Sequence, residues 1–405
     1  MRILFLLSAY APHRYGGGEV SATNLMRWLA AHGHEVSVFT MAGKDDHEIR
    51  GAEDAGISVW RLRNRHPYAF WEHHFAPRWK KPLWYLLDHA DPLNRRLMSE
   101  VLEQVRPDLV AIHVVSGLGY NTFYEIAKRD IPAIYFMHDL SLICTFGGFA
   151  RHEQVCKSRC LHCRAVSFAR LTALRRIPRL GICSPSRAIM AKVRETTRLD
   201  DARCRVILNA NAHPQPTIQH TASDFVRFLY FGRLHVSKGV AILLEALAGL
   251  ADQFRFSVKV AGTGPEEERL RKAYANAHWC TFLGYRSQEV ISDLIADSDL
   301  LCAPSIGWEN SPGVVIHALS QGLPVMASDA GGLSELLVDN QNGRLVPPGD
   351  VVAWRRALQS VLLDPDQLAQ WRAGAQAGSS RFDQDALGEQ IYQFMLDTIG
   401  AASWR

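Results

Sequence analysis

Short apolar runs alternate with longer amphipathic stretches along most of this chain. Residues 3–8 form a nearly unbroken apolar run, which predicts a buried strand. Residues 21–32 carry apolar side chains at helical spacing and stop at Gly33, and 35–40 are strand-like again. Residues 108–113 and 133–138 predict further buried strands, with helical segments between them. Alternation of this kind predicts a parallel sheet wrapped by helices. The pattern breaks over 209–224, where Asn209, Asn211, Pro214 and Pro216 stand among polar residues without an apolar period, as in a linker. It then restarts, with strands at 225–231, 256–261, 300–303, 324–327 and 343–346. Helices are expected at 240–250, 351–363 and 385–399. The expected class is therefore α/β, with two doubly wound Rossmann-like domains facing a cleft and ligands at the carboxyl ends of the strands. The domains span 1–208 and 225–384. A C-terminal helix over 385–405 is expected to pack back on the first domain.

Composition narrows this picture. The chain has 405 residues, 47% hydrophobic and 21% charged, ordinary for a soluble globular protein with sizeable cores. Net charge is +4 but unevenly placed: between residues 151 and 208 stand fourteen Lys/Arg and four Asp/Glu. That excess suggests an anionic surface or substrate near the first domain. Nucleic acid would fit the charge, but no nucleic-acid motif is present. The apolar start superficially resembles a signal peptide, yet it is short and runs into Pro12 and a glycine cluster, so a buried first strand is expected. No run approaches the roughly 18 apolar residues of a spanning helix. Eight cysteines without small-scaffold spacing fit a reducing cytoplasm. Residues 60–84 are rich in aromatic, His and Arg side chains, suiting either a cover over the first sheet or an acceptor- or membrane-facing surface.

Residues 305–322 carry the clearest chemistry. Glu309 precedes a helix start at which Ser311 is a good N-cap and Pro312 suits the first helical position. Such a start aims free N–H groups and a positive dipole end forward, a seat for phosphate that would include Asn310, Gly313 and Val314. His317 follows inside the helix. Arg233 and Lys238 flank the turn after the first strand of the second domain, where two cations can neutralise a diphosphate. Gly262 and Gly264 make a tight turn after the next strand, placed to lie against a base or ribose. Gly16 and Gly17, with Gly18, follow the first strand and permit close backbone approach. Their spacing is not that of a dinucleotide-binding loop.

In this order the pieces resemble the retaining glycosyltransferases of family 4, with the two-domain GT-B fold. The resemblance runs over nearly the whole chain through Gly16-Gly17 with Glu19, Gly33–Val36, His138-Asp139, Ser184–Ser186 and Asn209, then Arg233 with Lys238, Gly262–Pro265 and Glu309–Pro312. Ala327–Gly332 and Asn342-Gly343 complete it. It implies a nucleoside-diphosphate-sugar donor on the second domain and a glycan or lipid-linked acceptor on the first. Arg233 and Lys238 would stabilise the leaving diphosphate, and amides at Ser311–Val314 would contact phosphate and sugar. Glu309 would bond a sugar hydroxyl, His138 would sit beside the donor sugar, and Gly17 would let the first domain close on the phosphates. No catalytic metal is implied. The family pattern has a second Glu where this chain has His317. An imidazole cannot accept from both hydroxyls of a ribose as a carboxylate can. A weakened ribose contact is expected, with a non-catalytic nucleotide-sugar binder and an epimerase-like GT-B enzyme as the alternatives.

Two features stand apart. Cys144, Cys156, Cys160 and Cys163 could close a tetrahedral zinc site, with His152 and His162 as substitutes; free thiols and disulfides are the other readings. Residues 164–180 hold five Arg and no acid among apolar residues, suiting a core-packed helix or one lying on an anionic membrane at its cytoplasmic face.

Overall fold

The computed structural model describes residues 1–401 except 14–15, 44–45, 64–65, 69–71, 73–75, 146, 148–149, 152–153, 157–158 and 198–202. The chain divides into two compact units. The first comprises Met1–Gly147, Ser158–Asn211 and Gln384–Arg405, and the second comprises Gly148–Lys157 and Ala212–Asp383.

The first unit is built on an eight-stranded sheet. Its strands are β1 (Arg2–Leu6), β2 (Glu35–Met41), β3 (Ile49–Asp54), β4 (Ile57–Leu62), β5 (Leu109–Ile112), β6 (Ala133–Phe136), β9 (Leu180–Ser184) and β10 (Cys204–Val206). They lie in the order β10-β9-β6-β5-β1-β2-β4-β3. A separate ribbon, β7 (Ala150–Arg151) with β8 (Gln154–Val155), belongs to the second unit. Central strands such as β1 and β5 are buried on both faces, which is why they read as unbroken apolar runs. The edge strand β3 runs antiparallel and is mostly exposed; Arg50, Glu53 and Asp54 guard it against further pairing. Those charges also hide the β3–β4 hairpin from a search for apolar runs. Helix Gly17–Ala31 ends where Gly33 adopts φ +80, a conformation that costs glycine little.

The C-terminal helix, Gln384–Gly400, is part of this first unit. Leu387, Ile391, Phe394 and Met395 join its core, and Trp28 Nε1 donates to Asp385 Oδ1 at 2.8 Å. Gly388 and Gly181 make that packing close: a Cβ would lie 2.5 Å from the Trp28 ring at the first and 2.8 Å from Phe394 at the second.

The second unit holds a six-stranded all-parallel sheet, β11 (Val226–Phe231), β12 (Phe256–Ala261), β13 (Cys280–Gly284), β14 (Leu300–Ala303), β15 (Val325–Ser328) and β16 (Gly343–Val346). Its order, β13-β12-β11-β14-β15-β16, turns direction at β11, where loops on either side open a crevice. Trp354 and Trp371 fill its core. The turn-rich stretch after Asn211 is pinned to this unit. Pro214 O accepts from Ser292 Oγ at 2.7 Å and Gln321 Nε2 at 2.6 Å, and Thr217 Oγ1 donates to Asp293 Oδ1 at 2.9 Å. Its polar groups, which read as linker chemistry, are bonded here.

Candidate active site

In the second unit, four loops at the carboxyl ends of β11, β12, β14 and β15 are knit together by backbone approaches that only glycine allows. Gly262 has φ +141 and lies so close to Gly232 that a Cβ would stand 1.8 Å from its carbonyl oxygen. Gly264 is held as tightly against Leu234 O, at 2.2 Å, and Gly239 against Pro304 O, at 1.9 Å. Ile306 N donates to Ser237 O at 2.9 Å, and Gly332 N donates to Glu309 O at 2.8 Å. Glu309 is thereby fixed at the centre. Its Oε1 accepts from Lys238 Nζ at 2.6 Å and from Ser305 Oγ at 2.7 Å. Arg233 is exposed on the adjoining turn.

Helix Gly313–Ser320 starts beside these loops, with Pro312 as N-cap in extended backbone. The expected Ser311 cap is not formed: Ser311 Oγ is buried without a hydrogen-bond partner, and Val315 N and Ile316 N bond to Pro312 O. The start lies one residue later, but the helix still presents its first N–H groups and dipole end beside Glu309 and Lys238. Gly232 lies alongside, where a Cβ would meet Val314 at 3.9 Å.

His317 is turned inward and only 1% exposed. Its Nε2 lies 3.0 Å from Ser292 Oγ and 3.2 Å from Gln321 Nε2, and its ring stacks on His213 at 4.2 Å. Gln321 Nε2 is a donor, which fits a neutral His317 ring with Nε2 as the acceptor. Burial and the neighbouring His213 pull its pKa down to about 3. Burial likewise takes His213 down to about 4.

In the first unit, Gly16 is the N-cap of helix Gly17–Ala31 and lies 3.2 Å, measured from a Cβ built on it, from Glu19 Oε2. The Glu19 carboxylate reaches back to the Gly16 N–H, half of a capping box. Burial of Glu19 outweighs that bond and raises its pKa to about 7. A Cβ on Gly17 would meet open space, so the constraint falls on Gly18, whose Cβ would be 3.0 Å from the His138 ring. His138 Nε2 and His113 Nδ1 are 2.8 Å apart and share one proton. Burial lowers the pKa of His138 to about 4 and that of His113 well below the ordinary value, so the pair is neutral. The loop after His138 is held by Arg170, which donates to Ser141 O, while Ser141 N donates to Asp139 Oδ1 at 2.7 Å. Gly18 was read only as part of a flexible glycine run, and His113, His213, Ser292 and Ser305 were given no role in the sequence. A lone His on an apolar strand, or a Ser inside a helix, gives no signal of what it touches.

The loops, glycines and charged pair match a known combination. Residues 226–364 match the family described as glycosyl transferases group 1, and residues 16–210 match the glycosyltransferase 4-like domain. This chain carries two glycosyltransferase domains. The glycosyltransferase pair has the GT-B fold: sucrose-phosphate synthase from Thermosynechococcus elongatus superposes with a TM-score of 0.75 at 19% identity, over 99% of both chains. Anabaena HepE in complex with UDP superposes with a TM-score of 0.67 at 20% identity, over 98% of this chain and 100% of that one. Among curated relatives, phosphatidyl-myo-inositol mannosyltransferase of Mycobacterium leprae is 31% identical over 176 residues, 43% of this chain and 47% of the relative. The match spans about half the length of that relative.

Of the four cysteines of this glycosyltransferase chain, Cys144 and Cys160 approach Cys163. The Cys163 thiol is 3.2 Å from Thr145 Oγ1 and within hydrogen-bond reach of Cys160 and Cys144. Burial pushes this thiol up, and those bonds outweigh it and leave it below its ordinary value. Cys156 lies in the 148–157 segment, which groups with the second unit. Among the described residues no set of three or more His, Cys, Asp or Glu side chains is arranged to hold a metal ion. His152 lies outside the described residues. Among those described, no helix is long and apolar enough to cross a membrane.

Proposed function

We propose that this chain is a retaining glycosyltransferase of the family 4 type, moving a hexosyl group from a nucleoside-diphosphate sugar to a glycan or lipid-linked acceptor in the cytoplasm. The observation that supports this reading most is the Lys238–Glu309–Ser305 group held among glycine turns at the start of helix Gly313–Ser320. Arg233 and Lys238 neutralise the diphosphate as it leaves, assisted by the N–H groups of Gly313 and Val314. Positive charge is thereby aimed where negative charge develops, which is the usual source of rate in such transfers. Glu309 shares its carboxylate between Lys238 and a sugar hydroxyl. His138, neutral and braced by His113 and Gly18, receives the sugar from the first domain's side. UDP in the complex with the HepE structure and the lipid named in the mannosyltransferase supply the donor and acceptor classes.

A panel of UDP-, GDP-, ADP- and TDP-sugars tests this, with donor hydrolysis and product anomeric configuration as readouts. Turnover on one donor with retained configuration is expected, and Lys238→Ala should lower it by roughly 100-fold or more. Binding without turnover on any donor would instead support the non-catalytic alternative. The finer reading of the cysteines is a structural zinc, supported by the approach of Cys144 and of Cys160 to Cys163. Elemental analysis is expected to find zinc in the purified protein, and fully active zinc-free protein overturns it.

A further inference from the structure

The first unit exposes large apolar side chains where its folding leaves them unpartnered. Helix Leu161–Leu174 turns Cys163, Ser167, Arg170 and Leu171 inward. Its outward stripe is then Leu161, Ala165 and Phe168, spaced one and two helical turns apart; Leu161 is 82% exposed and Phe168 74%. Of the five arginines in 164–180, only Arg164 and Arg170 lie within this helix, and most of the five have partners. Arg170 is buried, Arg175 donates to Thr197 O, Arg176 lies over the Tyr124 ring and Arg179 donates to Asp130 O. Within the helix, Arg164 is exposed beside the stripe, and Arg175 and Arg176 are exposed just after it.

Helix Lys81–Ala90 lies alongside, its Tyr85 ring meeting the His162 ring edge-on at 5.8 Å. It also turns apolar residues outward, Leu83 and Leu86, and Trp79 just before it is 76% exposed with Lys80 Nζ 5.3 Å from its ring. Phe168 further walls a groove of about 180 Å³ with His89, Tyr120 and Tyr124. No Asp or Glu occurs within 76–87 or 159–180, whereas Lys80, Lys81, Arg159 and Arg164 do.

We propose that Trp79, Leu83, Leu86, Leu161 and Phe168 form an interfacial docking face that inserts into an anionic lipid bilayer. Apolar side chains on two short helices, a Trp at the edge and cations without local acids are what such a surface requires. Charge complementarity selects the occupant, because a bilayer bearing anionic headgroups meets the lysines and Arg164 while the apolar tips enter the acyl boundary. The inference does not depend on turnover, and it holds whether or not the chain transfers sugar.

Flotation of the full chain tests it, with phosphatidylcholine vesicles and phosphatidylcholine–phosphatidylglycerol vesicles. The protein should float with the second alone and dissociate at high salt. The variant Trp79→Ser/Leu161→Ser/Phe168→Ser should lose about tenfold or more in bound fraction while keeping its melting temperature and UDP binding. Wild-type protein that stays unbound, or a triple variant that floats equally, overturns the proposal. So does a wild-type dimer in light scattering that the triple variant splits, since that assigns the face to a second copy.

Discussion

Glu19 is the residue whose surroundings make the sharpest solution prediction. Its folded pKa of about 7 lies above its ordinary 4.5 because burial disfavours the charge. A carboxyl raised in this way costs nothing below its unfolded pKa. The cost grows as pH rises through the window between the two values and stays constant above the folded one. Glu19→Gln keeps an acceptor for the Gly16 N–H and removes the charge. The variant should match the wild type near the acid end of that window and exceed it above neutral pH, by at most on the order of 3 kcal/mol. Urea midpoints across pH decide this; equal midpoints at alkaline pH refute it. His317 carries the second prediction. A Glu there meets Gln321 Nε2, a donor, beside Ser292 and the stacked His213 ring. His317→Glu should cost about 1–3 kcal/mol for burying a carboxylate, yet hold or improve UDP affinity. A tenfold or greater loss in isothermal titration would sink a ribose role for this position. The departure at His317 could be noticed in the sequence, but its direction could not. Nothing in the helix pattern said that the ring would turn toward residues 213 and 292, which reach it only through the fold.

At the scale of elements, the strands that were legible are short apolar runs bounded by turns. Residues 256–261, 300–303 and 343–346 were bounded correctly because each is a short strand between clear turn signals. The β3–β4 hairpin, β9, β10 and β13 were not called. An edge position tolerates polar side chains, so β3 and β13 carry no continuous apolar signal. The turns that build the proposed donor site were visible through their glycines, although their purpose as backbone contacts was not. Gly262 illustrates this. Its φ of +141 and its approach to Gly232 O leave no room for a side chain. Gly262→Ala should therefore destabilise the second unit by about 1–3 kcal/mol and weaken UDP binding, as the β12 turn is pushed off the β11 turn. Thermal melting with and without UDP checks both effects; an unchanged melting temperature would show that the turn has room to yield.

At the scale of the whole molecule, the chain crosses between its units and then returns, because the last helix belongs to the first one. Chain order alone would set residues after 383 with the sheet that precedes them, although the C-terminal helix is expected from the sequence to pack back on the first domain. The apolar stripe of Leu387, Ile391, Phe394 and Met395 says only that the helix must be buried somewhere. What fixes its partner is shape at two glycines, Gly181 and Gly388, which let Phe394 and Trp28 approach. Burying four such side chains stabilises by roughly 1.5–3 kcal/mol each, so by about 6–12 kcal/mol together. That sum is comparable with the whole stability of a typical domain, about 5–15 kcal/mol. A chain ending at Asp383 should therefore leave the first unit unfolded or aggregating while the second unit, complete up to that residue, still folds and binds UDP. Calorimetry should show the full chain's first-unit transition missing from the truncated one. Gly388→Leu, which drives a side chain into the Trp28 ring, should lower that same transition without touching the other. If both transitions survive truncation unchanged, the helix is an ornament on the first unit and its burial contributes far less than its area suggests.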